Sequence, residues 1–478
     1  MLTRVEISGF KNLAGVTVDF GPYTCIAGPN AIGKSNLFDA IEFLSHLSST
    51  SFFEAAQNIR SSEGGSSDPT VLFHTDGTGG YLPLRILVEM LVDPEVYDDF
   101  GQRGDASSTY LRYEVELRLE ESTGPGGAPV HRIMLQHESL SPLNQTVAKS
   151  RLRWLGAGLT RTDRDELRRT LVKGARSQPY IRMGDGTDGT RLVNVHVEGS
   201  QGRPQQVNIE STQRTVLSTI NTIDRPTVLA VRREMQNWRK LALEPSAMRA
   251  PDDVSEQRPV ASDGAHLPIA LSRLLEQDDG AADDVRAIAM SLTDVSAVRA
   301  DVDLGRRLVT LEARLGDGDF LPARVLSEGT LRFLALAILR LDPSYSRLLC
   351  MEEPENGIHP AKIPEIVDLL HDLAFDPSLP LAEDNSLRQV IVNTHSPHFV
   401  AEHPDDELLV AVRSGVPVEA AVVESFVLAP VAGTWRDDVQ NAEGAYALPR
   451  NRIDQYLQIR PDAPQLRAGQ RHGGGSEE

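Results

Sequence analysis

Residues Leu326 to Pro360 read LSEGTLRFLALAILRLDPSYSRLLCMEEPENGIHP, and the fold class follows from the order of features within them. A polar turn, LSEGT, opens a helical stretch in which Leu331, Leu334, Ala335 and Ile338 share one face. Leu348 to Met351 is apolar at every position, the pattern of a strand buried on both sides. Two carboxylates, Glu352 and Glu353, stand where that strand ends. In open α/β sheets ligands bind at the carboxyl ends of strands. Adjacent acids at such an end suit a hydrated metal ion and an activated water.

A partner for those acids lies near the N-terminus. Arg4–Phe10, Val16–Phe20 and Tyr23–Ala27 read as strands, and GPNAIGKSN, Gly28 to Asn36, follows the third. Leu37, Ala40, Ile41 and Leu44 then have helical spacing. The pattern G-x-x-x-x-G-K-[ST] between a strand and a helix is a phosphate-binding loop in its expected context. Gly28 and Gly33 let backbone N–H groups wrap the phosphates, Lys34 is a point charge for the β and γ phosphates of ATP, and Ser35 offers a hydroxyl to Mg²⁺. Asn30 and Asn36 complete the candidate ATP-binding set.

Composition sets outer limits. The chain has 478 residues, enough for two or three domains or one domain with insertions. A net charge of −20, from 48 basic and 68 acidic residues, gives no global attraction for nucleic acid; any such contact needs a local basic patch. Aromatic content of 5 % weakens any function built on base stacking. Cys25 and Cys350 lie in apolar strand-like runs and are expected as buried, reduced thiols, which fits the cytoplasm. No apolar run approaches ~20 residues, so no membrane span is expected, and MLTRVEISGF lacks a signal-peptide pattern.

Between the two motif regions the chain changes character. Ser61–Gly80 is rich in Ser, Gly and Asp and reads as a loop. Tyr81–Val92 has strand character; Tyr110–Glu120 alternates strictly, and after the turn Ser122–Pro129 another strand, Val130–Leu135, follows. An antiparallel layer beside the nucleotide-binding sheet is therefore expected. From Ser150 to about Val295 helical patterns at Asp163–Gly174, Leu267–Gln277 and Ala281–Leu292 alternate with turns. Arg151–Arg176 holds eight basic and three acidic residues, which fits either a solvated helix face or a patch for DNA or a partner. Val302–Leu315 returns to strand character, Gln389–Asn393 is a further apolar strand ending in Thr394-His395-Ser396, Asp405–Pro430 reads as two strands, and Asn451–Gln458 as a helix. Gly469–Glu478 is low-complexity and expected to be disordered.

Four features thus occur in order: GPNAIGKS (28–35), LSEGT (326–330), LLCMEEPE (348–355) and VNTHS (392–396). In them the sequence resembles ABC-type ATPases of the SMC/RecF branch, and more narrowly the compact AAA family ATPases related to RecF and to the ATPase half of OLD-family proteins, found in bacterial anti-phage defence. The segments 238–251 and 263–275 also look like that subgroup. The resemblance implies that Ser327 and Gly329 grip the γ-phosphate of ATP bound to another copy; as a plain residue type, Ser327 also suits a simple helix cap. It implies that Glu352 holds the Mg²⁺ water shell, where the family usually has Asp, and that Glu353 polarises the attacking water. Asn356–His359 match a loop that touches the partner copy, and His395 matches a histidine that senses the γ-phosphate, although a structural role also suits a lone histidine. Gln57 and Gln136 are the candidates for the family's site glutamine, and adenine is expected near Phe10, Lys11 and Asn12.

The expected architecture is α/β: an ABC ATPase head with an N-terminal antiparallel β layer and a mostly helical insertion. The divisions are 1–148 and 299–460 for the two parts of the head, 149–298 for the insertion and 461–478 for a disordered tail. The expected activity is ATP hydrolysis by a homodimer or higher even-numbered homo-oligomer that regulates a separately encoded effector, a nuclease or toxin. A RecF-like DNA-binding ATPase is the main alternative. A fused OLD-like nuclease is disfavoured, because the residues after His395 contain Asp405-Asp406 and Asp437-Asp438 but no Asp-x-Asp.

Overall fold

The apolar strands lie side by side. In a computed structural model, β3 (Tyr23–Ala27), β17 (Leu348–Glu352) and β18 (Gln389–Thr394) pair in parallel as β17-β18-β3 and are buried at nearly every position. On one flank β12 (Trp238–Leu241) pairs in parallel with β17; on the other β19 (Leu408–Val418) pairs in parallel with β3, and β20 (Ala421–Pro430) closes the edge antiparallel to β19. The structure describes residues 1–453 apart from residues 60–67, 76–78, 125–128, 157–158, 186–189, 199–202, 278–279, 293, 343–344, 346, 383–384, 419–420 and 442–445.

Alternation along these strands divides their side chains between two cores. Ile26, Leu348, Cys350, Ile391 and Leu409 face one, shared with an antiparallel sheet. Cys25, Ala27, Leu349, Met351, Val390 and Val392 face the other, shared with the helices Leu267–Gln277, Glu328–Leu341 and Ile363–Asp372. Covering both faces is why the sequence carries no polar alternation there; each buried Leu or Ile contributes roughly 1.5–3 kcal/mol. Both cysteines are buried free thiols, as expected.

The antiparallel layer is an eight-stranded sheet in the order β11-β10-β9-β8-β7-β4-β1-β2. Its strands are β1 (Leu2–Ser8), β2 (Val16–Asp19), β4 (Leu84–Leu91), β7 (Tyr110–Thr123), β8 (Pro129–Pro142), β9 (Ile181–Asp185), β10 (Arg191–Val195) and β11 (Gln205–Asn208). In β7 Tyr113, Val115 and Leu117 point into the core while Arg112, Glu114 and Glu116 remain half-exposed, as the strict alternation implied. Together the two sheets and the helices give the α/β architecture that the resemblance implies.

Several elements depart from the sequence-based picture. The span 149–298 is richer in helix than in strand, with helices at Leu267–Gln277 and Ala281–Leu292 where periodicity placed them. It is not set apart from the head, however: β9–β11 extend the antiparallel sheet and β12 enters the parallel one. These strands are short and half-polar, so their pairing comes from neighbours rather than from their own pattern. The strand character of Val302–Leu315 resolves into a hairpin, β14 (Val295–Asp303) and β15 (Leu308–Leu315), in which Arg307 adopts a left-handed φ of 58° and the Asp303 carboxylate accepts the Arg306 N–H. With β13 (Asp252–Asp253) and β16 (Phe320–Pro322) it forms a small four-stranded sheet, and β5 (Glu95–Tyr97) pairs with β6 (Arg103–Asp105) as a ribbon.

Part of the basic run at 151–176 is spent internally: Arg153 pairs with Asp438, Arg168 with Asp165, and Arg164 donates to the Gly156 carbonyl. The expected helix at 451–458 is described only as far as residue 453, and the tail 461–478 lies outside the described residues. Among the described residues no helix is long and apolar enough to cross a membrane.

Candidate functional site

Three strand ends converge on one cleft. The loop after β3 runs into the helix Lys34–Leu47, and Gly33 carries it through a φ of 118°. A side chain there would be strained, and a Cβ would stand 2.4 Å from Asn12 Nδ2 and 2.7 Å from the Phe426 ring. Gly28 is constrained by space: a Cβ would meet Ala411 Cβ at 2.9 Å. Asn12 braces the loop from outside, donating to the Ile32 carbonyl (3.0 Å) and accepting from Asn36 Nδ2 (2.8 Å).

The loop, Asn12, Lys34, Ser35, Asn36, Glu353 and Asn393 enclose a cleft of about 270 Å³ that also includes Asn30. Lys34 is buried and donates from Nζ to the carbonyls of Gly28 (2.5 Å) and Pro29 (2.9 Å). Burial pulls its ammonium below the ordinary lysine range against the opposing pull of Glu353, Glu352 and Glu355. Two neutral carbonyls are weak partners for such a charge, so a polyanion in the cleft would bind it better.

The two carboxylates have different partners. Glu352, last in β17, accepts the Ser35 hydroxyl at Oε2 (2.8 Å). A hydroxyl and a carboxylate so placed are hard oxygen donors of the kind Mg²⁺ prefers. Glu353 adopts a left-handed φ of 46°, unusual for a residue with a Cβ, and its N–H donates to the Asn393 carbonyl (2.9 Å). That turn points its carboxylate to the cleft, where Oε1 meets His395 Nδ1 at 2.7 Å and Oε2 accepts from Asn356 Nδ2 at 2.7 Å. Glu355 behind them is buried; its Oε1 accepts the Thr394 hydroxyl, and burial raises its pKa.

Ser327 and Gly329 are not brought to this cleft. Ser327 is exposed and caps the helix Glu328–Leu341, its Oγ accepting the Thr330 N–H at 3.2 Å. Gly329 sits against Gly357, whose φ of 76° fits its close approach to Glu328. The helix start thus rests on the 355–359 segment, with its polar face outward.

Sequence reasoning missed the ion network behind Glu352. Lys240, on β12, lies 2.9 Å from Glu352 Oε1 and 2.8 Å from Asp39 Oδ1, and Lys11 reaches Asp39 Oδ2 at 2.7 Å. Burial works to raise the pKa of the fully buried Asp39 carboxyl, and the two lysines outweigh it, so the net shift is downward. Glu352 is therefore held at both oxygens, by Ser35 and by Lys240. Lys240→Met is expected to cost about 2 kcal/mol in denaturant unfolding, and less when combined with Asp39→Asn, because Asp39 is left with Lys11 as its one lysine partner and Glu352 with the Ser35 hydroxyl. Only the pairing of β12 with β17, far apart in sequence, could have revealed this residue. Neither candidate glutamine reaches the cleft: Gln57 is exposed on a helix, and Gln136 accepts from Arg191 on the antiparallel sheet. Phe10 is buried against Phe43 in the core, which leaves Asn12 as the member of that trio on the cleft.

The model of a family described as "AAA domain, putative AbiEii toxin, Type IV TA system" matches residues 23–105 and 231–401, just over half of the chain. The DNA replication and repair proteins RecF of Phocaeicola vulgatus and Bacteroides thetaiotaomicron are 39 % and 41 % identical to the chain over 61 residues, 13 % of this chain and 16 % of each relative. The similarity thus spans about a sixth of the length of those curated relatives. Among solved structures, an SMC head bound to the C-terminal winged-helix domain of ScpA aligns over 90 % of this chain and 98 % of its own, with 12 % identity and a TM-score of 0.47; the SMC head domain from Thermotoga maritima aligns over the same shares with 11 % identity and a TM-score of 0.35. The family match and the local similarity to RecF agree with the motif order of the SMC/RecF branch. The chain belongs to the AAA-domain family whose model spans its phosphate-binding loop, its LSEGT turn and its acidic strand end.

Proposed function

We propose that the chain is an ATPase that binds ATP with Mg²⁺ in this cleft and hydrolyses it as a head-to-tail homodimer, or a higher even-numbered homo-oligomer built from such dimers. The observation that carries the proposal is a division of parts. Lys34, Ser35, Glu352, Glu353 and His395 gather at one cleft, whereas Ser327 and Gly329 stand exposed or half-exposed away from it. A helix start with unpaired N–H groups is an anion site, and a second copy can carry it to the γ-phosphate.

Ser35 and Glu352 would hold Mg²⁺, which when bound supplies positive charge beside the phosphate oxygens. Lys34 leaves the Gly28 and Pro29 carbonyls for the phosphates. Glu353, freed from one of its two donors, orients a water and accepts its proton at the carboxylate. His395, now on Glu353 Oε1, is placed to exchange that contact for a phosphate oxygen and so to couple nucleotide state to the segment after β18. We place this cycle in the cytoplasm, as the regulator of a separately encoded effector, a nuclease or toxin, in anti-phage defence.

The local similarity to RecF supports a second reading, ATP-dependent DNA binding. Phosphate release by the pure chain with Mg²⁺, together with its mass by light scattering with and without ATP, tests the first. Expected are Mg²⁺-dependent release and an ATP-dependent dimer; a monomer without turnover under all nucleotide conditions overturns it. Steeply salt-dependent DNA binding that requires ATP decides for the second.

A further inference from the structure

At the opposite end of β3 from the phosphate loop, three donor groups meet that the ATPase reading does not use. We propose that His371, His403 and Glu407 bind a divalent transition metal, with Zn²⁺ the best chemical fit. Their candidate donor atoms all lie within 4.8 Å of one another, and His371 Nε2 is 2.8 Å from Glu407 Oε2. Three separate elements deliver them: the last turn of the helix Ile363–Asp372, the chain just after the helix Pro397–Ala401, and the turn Asp405–Glu407 that opens β19.

The second observation concerns how His403 is held. The residue is 3 % exposed, and Nδ1 lies 2.7 Å from the Phe399 carbonyl oxygen, which can only accept. The ring proton therefore sits on Nδ1, and Nε2 presents a lone pair. A histidine whose far nitrogen donates to a backbone carbonyl is the usual form of a metal ligand, because that bond fixes both tautomer and ring plane. The lone pair now accepts the Tyr23 hydroxyl at 2.9 Å; metal binding breaks this hydrogen bond, and the hydroxyl turns its proton to water in the cleft that Tyr23 lines. Tyr23 also stacks on His403 at a centroid distance of 5.3 Å and lies against His371 at 4.2 Å, so both rings are fixed in place.

His371 and Glu407 are half-buried and line a cleft of about 490 Å³ with Tyr23, so an ion has a route in and a fourth position open to water. Two imidazoles and one carboxylate with an open position form a donor set suited to Zn²⁺ and poorly suited to Mg²⁺, which demands oxygen. The C-terminal end of the helix that carries His371 adds a negative pole beside the ion. Bound there, the metal ties that helix to the start of β19 and to the segment that begins at His395, eight residues before His403.

The test uses the full chain, stripped with a chelator and titrated with Zn²⁺ by calorimetry, with Co²⁺ absorption as a second readout. Expected are one Zn²⁺ per chain, retained in excess Mg²⁺, a rise in the unfolding temperature, and the visible bands of four-coordinate Co²⁺. His371→Ala and Glu407→Gln, both at half-buried positions, should each weaken Zn²⁺ binding at least about tenfold and remove the thermal shift, since even outer-shell changes cost that much. Wild-type chain that takes up no Zn²⁺, or a double variant that binds it with unchanged affinity, overturns the proposal. Neither outcome depends on ATP turnover.

Discussion

Glu353→Gln should slow ATP hydrolysis by at least about 100-fold, the lower end of what a positioned general base contributes, while leaving nucleotide binding intact. The change is isosteric, and the amide can still accept from Asn356 and meet His395 at the two positions the carboxylate now occupies. What the amide cannot do is take a proton from water. The backbone N–H of residue 353 keeps its bond to the Asn393 carbonyl, so the left-handed turn at that position persists. Because Ser35, Glu352 and Lys34 are untouched, the variant should accumulate as an ATP-bound dimer, seen as a doubled mass in light scattering. Turnover at the wild-type rate would remove Glu353 from the mechanism.

Gly329→Asp should lower turnover by at least about 100-fold through a different step, the completion of the site by a second copy. Folding is not the obstacle: a Cβ at Gly329 would rest 3.5 Å from the Gly357 carbonyl oxygen, an ordinary contact, and the backbone there is not left-handed. The added carboxylate stands at a helix start that otherwise favours anions, where it competes with and repels a γ-phosphate. Binding of ATP to the single chain, measured by calorimetry, should be retained, because Gly329 does not line the cleft. Loss of both binding and turnover would mean that residue 329 acts within its own chain.

These expectations rest on features of unequal legibility. The parallel strands could be read directly, because burial on two faces demands apolar residues without interruption, as in LLCM and QVIV. The phosphate loop could be read because its glycines, Lys34 and Ser35 are consecutive, and its geometry is set locally by Gly33. Strands β9 to β11 escaped notice because they are short and half-polar and run out to the sheet edge at β11, so that neighbours rather than their own pattern supply the pairing. Lys240 and Asp39 escaped for another reason. A lysine in a short strand carries no signal until β12 is known to lie beside β17, which places it on Glu352. The histidine cluster is the same kind of fact: His371, His403 and Glu407 are unremarkable in sequence and meet only through the order β18-β3-β19.

The central claim is that Ser327 of one copy completes the phosphate loop of another, and proximity cross-linking tests it most directly. Both native cysteines are buried, so introduced thiols can be addressed alone. Ala31→Cys and Ser327→Cys, both at exposed positions, are placed in separate copies of the Glu353→Gln chain, mixed, and treated with a short bifunctional thiol reagent. The account predicts an inter-chain product between the two variants that forms with ATP and Mg²⁺ and is lost without nucleotide. No ATP-dependent product between them, with ATP binding intact in both, would contradict it.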